Sequence, residues 1–90
     1  MARKEKVTRV IDGDTFETAS RKNPVRLAHV DAPEKGQPGG AAATAALRGL
    51  IAGETVSIDT VARDCYGRSV ANVKVGRESV NAAMRRKVGQ

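Results

Sequence analysis

The sequence predicts a small α+β fold, mainly β, in which five short strands close into a barrel and two helices pack against it. Three observations carry this expectation. Runs of alternating apolar and polar residues recur between turn-forming pairs; an Ala-rich stretch in their midst switches to helical periodicity; and a shorter helical stripe follows the last strand. An open sheet of such strands would present unpaired edges, and closure into a barrel removes them.

Taken in order, residues 7–12 and 14–19 read as two strands broken at Asp12-Gly13, a pair that favours a tight hairpin turn with positive φ. Residues 25–31 set Val25, Leu27 and His29 against Arg26, Ala28 and Val30, which suits a half-buried third strand. That strand must stop at Pro33, because proline offers no ladder donor and biases Ala32 toward extended backbone, so Asp31 to Glu34 fall on the loop leaving it. After Gln37-Pro38-Gly39-Gly40, the residues Ala43, Leu47, Leu50 and Ile51 share one helical stripe, and Gly53 is a natural stop. Val56, Ile58 and Thr60 suggest a fourth strand, and Ala71, Val73 and Val75 a fifth, separated by the turn-prone Asp64-Cys65-Tyr66-Gly67. Val80, Ala83, Met84 and Val88 outline the second helix. The charged ends, Arg3, Lys4 and Lys6 and then Arg85, Arg86 and Lys87, read as solvated tails or a helix face.

Ninety residues support one core, so the expectation is a single domain over 1–90 with its core at about 7–88. Leu, Ile, Val and Phe supply 18 of those residues, and Phe16 and Tyr66 are the aromatics, so each buried side chain removes little area from water and stability should be marginal. The formal charge of +6 points to a polyanionic partner, with nucleic acid the first candidate. A single cysteine, Cys65, excludes a disulfide framework and a paired-thiol zinc site, and a single histidine, His29, supplies no ligand cluster. No apolar run approaches a membrane span, and the first residues lack the apolar core of a signal peptide. The reading is a monomer with no membrane partner, cytosolic or else a mature fragment whose leader has been removed.

Four carboxylates fall on two loops: Asp12 and Asp14 at the first turn, Asp31 and Glu34 after the third strand. Hard cations such as calcium take carboxylate and backbone carbonyl oxygens, so loops converging at a barrel rim could hold one through Asp14, Asp31 and a carbonyl. The alternative is that Asp12 forms the turn and the others are solvated loop acids. Arg26 lies inside a strand between Val25 and Leu27, and Arg68 follows a turn. Guanidinium forks match phosphate oxygens bidentately, so two of them beside a carboxylate-bound cation describe a phosphodiester site; the alternative is a pair of exposed strand arginines.

The stretches VIDGDTF (10–16), VRLAHVDAPE (25–34), DCYGR (64–68) and VNAAM (80–84) resemble, in order and spacing, the successive motifs of the staphylococcal nuclease (thermonuclease) family. The resemblance spans residues 7–84. It implies an oligonucleotide-binding (OB-fold) barrel and a calcium-dependent nuclease that hydrolyses phosphodiester bonds of DNA and RNA with little base preference. By that resemblance, Asp14, Asp31 and the main-chain carbonyl of Ala32 would ligate Ca2+, with Asp12 supporting them. Glu34 would be the general base, Arg26 and Arg68 would hold the phosphate and stabilise its transition state, and Tyr66 would hydrogen-bond a terminal phosphate. Cys65 stands where the family often has lysine, and His29 where it has a small or aliphatic residue. The chain also ends soon after the second helix, so the family's third helix and second ligand-contacting tyrosine are expected to be absent. The rival reading is a non-catalytic OB-fold module that binds nucleic acid or protein. An ordinary single-strand binder needs aromatic platforms for base stacking, which two aromatics scarcely supply.

Overall fold

The computed structural model describes residues 3–88. Its first strand, β1 (Arg3–Asp12), pairs antiparallel with β2 (Thr15–Thr18), which pairs in turn with β3 (Val25–Leu27). Helix α1 (Gly40–Ile51) then leads to β4 (Thr55–Arg63), whose start pairs with residues 3–6 of β1, and to β5 (Ser69–Val75), antiparallel to β4. A parallel pairing of β3 with β5 completes the ring, so β1, β2, β3, β5 and β4 form a closed five-stranded barrel, as the sequence predicts. The two-residue β6 (Glu78–Ser79) adds to β5 and feeds α2 (Val80–Lys87), whose first turn is capped by the Ser79 hydroxyl accepting from Ala82 N–H at 3.2 Å.

Most of the core is where the alternation placed it, although Thr60 is exposed and Val75 only half-buried. Phe16, Leu27, Ile58 and Val73 point inward from the strands, and Leu47, Ile51 and Met84 cover one side from the helices; all are fully buried. Leu50, expected on the same stripe, is only half-buried and packs on the core's margin.

Three details differ from the sequence reading. Arg3, Lys4 and Lys6 are not tails but the exposed positions of β1, because their backbone pairs with β4 and the intervening Glu5 is buried. The hairpin loop is Gly13-Asp14, with Asp12 opposite Thr15, and Gly13 is absent from the positive-φ residues. Glycine is required there for space instead: a Cβ would come within 2.6 Å of the Ala43 Cβ and 2.9 Å of the Ala32 Cβ. The third strand ends at Leu27, because His29 adopts φ 59° and breaks the alternation, leaving its own side chain exposed. Arg85, Arg86 and Lys87, by contrast, follow the helix-face alternative: they form the last turn of α2, where cations complement the helix dipole.

Two buried polar side chains tie these parts together. Asn81, at the start of α2, accepts from Val73 N–H at 2.8 Å and donates through Nδ2 to the carbonyls of Ala28 at 2.9 Å and Ala71 at 3.0 Å. It thus takes the place of a neighbouring strand where β3 leaves the ladder. Glu5 accepts from Thr18 and Ser20 hydroxyls and from the Arg21 guanidinium, each contact within 2.8–2.9 Å, while Arg21 also donates to Ser69 Oγ. Burial pushes the Glu5 carboxyl up, but the hydrogen bonds and charge of Arg21 with the two hydroxyls outweigh it and hold it below its ordinary 4.5.

Candidate active site

The close approach at Gly13 brings the first turn, the 31–34 loop and the start of α1 into contact. A second glycine extends the same packing: at Gly40 a Cβ would overlap the backbone carbonyl of Glu34. Glu34 is further pinned by its carbonyl, which accepts from Gln37 N–H at 2.9 Å. The two loops are then stitched by main-chain donors. Ala32 N–H donates to Asp14 Oδ2 at 3.3 Å, and Lys35 N–H donates to Asp12 Oδ1 at 3.1 Å.

These contacts gather Asp12, Asp14, Arg26, Asp31, Ala32, Glu34, Gln37 and Arg68 around one polar cleft of about 280 Å³ at the barrel rim. Seven of the residues singled out in the sequence therefore meet in a single place. Gln37 had no sequence signal beyond its position in a loop; it arrives because the turn that pins Glu34 closes on it.

The acids are not equivalent. Asp14 is 8% exposed, accepts from its neighbour Thr15 Oγ1 at 2.8 Å and lies 3.6 Å from Arg26 Nη2, so it is not a solvated loop acid. Asp31 and Glu34 are exposed to the cleft. Arg26, half-buried, donates through Nη1 to the Leu27 carbonyl at 3.0 Å and is thereby turned toward Asp14.

Arg68 is oriented by the turn before it. Asp64 accepts from Tyr66 N–H at 3.0 Å and Arg68 N–H at 2.9 Å, and its other oxygen takes Arg68 Nε at 2.6 Å. Burial pushes the Asp64 carboxyl up, yet these hydrogen bonds and the Arg68 charge hold it below its ordinary 3.8. Asp64 holds Arg68 through Nε, and the Arg68 side chain lines the cleft. Tyr66 does not line the cleft; it is 79% exposed, with its ring 5.3 Å from the Arg68 guanidinium carbon, in range of a cation–π contact. Cys65 is exposed in the same turn.

The family model described as "Staphylococcal nuclease homologue" matches residues 24–88, which hold Arg26, Asp31, Ala32, Glu34, Tyr66 and Arg68. The chain belongs to the staphylococcal nuclease family. Among relatives, an "Uncharacterized endonuclease" of Escherichia coli O157:H7 is 43% identical over 76% of this chain and 46% of its own length. "Protein ParB" of Escherichia coli is 42% identical over 87% of this chain and 50% of its own. "Micrococcal nuclease" of Shigella flexneri is 38% identical over 74% and 40%. The chain thus spans half or less of the length of these relatives. Asp12 and Asp14 precede the stretch matched by the nuclease family model, and the barrel itself carries them to the residues inside it.

The lining also bears on which cation this nuclease-family cleft suits. Every side-chain donor on it that could meet a cation is oxygen, and neither histidine nor cysteine takes part, which fits a hard ion rather than zinc. Among the described residues no three side chains of Asp, Glu, His or Cys gather as a metal cluster.

Proposed function

We propose that this chain is a calcium-dependent nuclease that hydrolyses phosphodiester bonds of DNA and RNA with little base preference. The observation that carries the reading is the meeting of two guanidinium groups and four carboxylates in one rim cleft. Asp14 and Asp31, with the Ala32 carbonyl, would hold Ca2+, and Asp12, which lines the same cleft, would support them. When bound, the cation supplies charge neutralisation on the phosphate.

The remaining roles belong to the chain's own groups. Arg26 and Arg68 grip the non-bridging phosphate oxygens and stabilise the charge that grows in the pentacoordinate transition state. Glu34, held by its backbone but with its carboxylate in the open cleft, orients the attacking water and takes its proton. Tyr66, beside Arg68 and outside the cleft, meets a terminal phosphate. All these groups address phosphate, which is why little base preference is expected; the positive net charge favours the polyanion. Among the described residues no helix is long and apolar enough to cross a membrane.

The test is plasmid nicking in calcium against chelator, for the native chain and for Arg26→Lys and Arg68→Lys. Calcium-dependent nicking is expected from the native chain, and each variant should lose at least about a hundredfold in turnover while keeping its fold, since a point charge cannot reproduce a bidentate fork. Binding without cleavage in any condition would make the chain a non-catalytic module.

A further inference from the structure

Beside the cleft lies a second concavity, of about 340 Å³, walled by Val7, Thr8, Arg9 and Val10 of β1, by Lys35, and by Arg48, Ala52 and Gly53 at the end of α1. Three cations from three separate segments face it, and no carboxylate lines it. Arg9 does meet Glu17 on β2 at 3.7 Å, but the two side chains are 70% and 36% exposed, so the pair is weak and a stronger anion can displace it. Arg48 sits in the last turn of α1, where a cation also suits the helix dipole. Neither of these local roles brings the two arginines and Lys35 to one hollow.

Adjacent residues link the hollow to the cleft. Lys35 faces the hollow while its own N–H holds Asp12 of the cleft, and its neighbour Glu34 lines the cleft. Arg9 precedes Asp12 by three residues on β1, about 10 Å along the strand. A run of phosphates extending from Arg26 and Arg68 past Glu34 would meet Lys35 and then Arg9 and Arg48.

Resting on the phosphodiesterase reading of the cleft, we infer that this basic hollow is an extended substrate site, which binds the sugar-phosphate backbone of a single nucleic-acid strand flanking the bond to be cut. The partner chemistry follows from the lining. Cations without aromatic neighbours contact phosphate and leave the bases unread, and a hollow of about 340 Å³ has room for a short stretch of one backbone. The consequence is a preference for polymeric over small substrates.

The experiment compares the native chain with the double variant Arg9→Gln, Arg48→Gln. Affinity for a labelled single-stranded oligonucleotide is measured by anisotropy across a salt series in chelator, where no cleavage occurs. Hydrolysis of bis(p-nitrophenyl) phosphate in calcium is measured separately. Each lost phosphate contact flattens the slope of log K against log salt by about 0.7 for a single strand, so the double variant should lose about 1.4 in slope and bind roughly 25-fold more weakly at 0.1 M salt. Its rate on the small diester should match the native chain's. Equal affinity and slope in both proteins would overturn the inference, as would a larger loss for duplex than for single strand. Failure of the native chain to hydrolyse the small diester would instead strike the cleft reading, and the anisotropy result would still decide the hollow.

Discussion

Replacing Asn81 with alanine tests the argument that one amide side chain substitutes for a missing strand. The change removes hydrogen bonds of 2.8, 2.9 and 3.0 Å, but their partners are not left equally poor. The Ala71 carbonyl still accepts from Ala28 N–H at 2.8 Å, so it remains satisfied. Val73 N–H and the Ala28 carbonyl lose the partner that Asn81 supplied in a buried setting. At about 1–3 kcal/mol for each orphaned group, the expected loss is about 4 kcal/mol. A chain of 90 residues holds about 5–13 kcal/mol in total, so this is a third of its stability or more. The midpoint of thermal unfolding should fall by about 15–30 °C. Urea denaturation followed by circular dichroism measures it, with the slope unchanged if only the native state is affected. Asn81→Asp adds a control, because a carboxylate can still accept from Val73 N–H yet faces two carbonyls without a donor, and it should be no more stable than the alanine variant. A loss below about 1 kcal/mol in Asn81→Ala would show that the backbone groups find other partners and that the amide is not the link between α2, β5 and the segment leading to Asp31.

Two further outcomes follow from particular residues. The Glu5 carboxyl titrates lower in the folded state than its ordinary 4.5, so its contribution is fully present above that value and is lost as pH falls from there through the depressed folded value. The stability gap between the native chain and Glu5→Gln, read by urea midpoints from neutral pH downward, should therefore shrink in acid; a gap that is constant with pH would refute the role given to the Glu5 charge. In α1, alanine at Gly40 must displace the Glu34 backbone, whereas at Gly49 a Cβ meets nothing within 4 Å. Gly40→Ala should destabilise by about 1–3 kcal/mol and, by moving Glu34, cut turnover by roughly a hundredfold, while Gly49→Ala should stabilise by up to about 1 kcal/mol with activity kept. Melts and plasmid nicking on both variants check this, and equal behaviour of the two would remove the packing argument.

What the sequence determined by itself was local or repetitive. Alternation placed Phe16, Leu27, Ile58 and Val73 inside, helical spacing placed Ala43, Leu47 and Ile51, and Pro33 put Asp31 and Glu34 on a loop, because each of these follows from a period of two or 3.6 or from one residue's backbone chemistry. The order of motifs marked Asp14, Arg26, Asp31, Glu34 and Arg68. Whether they met was beyond it, since Asp14 lies in the turn before β2 and Arg68 just before β5, and only the barrel's closure between β3 and β5 brings those segments to one rim. Glu5 and Asn81 were illegible for a related reason: a carboxylate among lysines and an amide in a helix read as solvent-facing until partners from distant segments, Arg21 and the Ala28 carbonyl, are folded onto them. Gly13 read as a turn former, yet its necessity comes from Ala43 and Ala32 pressing on it from two other elements. The basic hollow had no linear signature at all, because Arg9, Lys35 and Arg48 are spaced too far apart in the chain to look like a cluster, and electrostatic attraction for phosphate depends on distance in space.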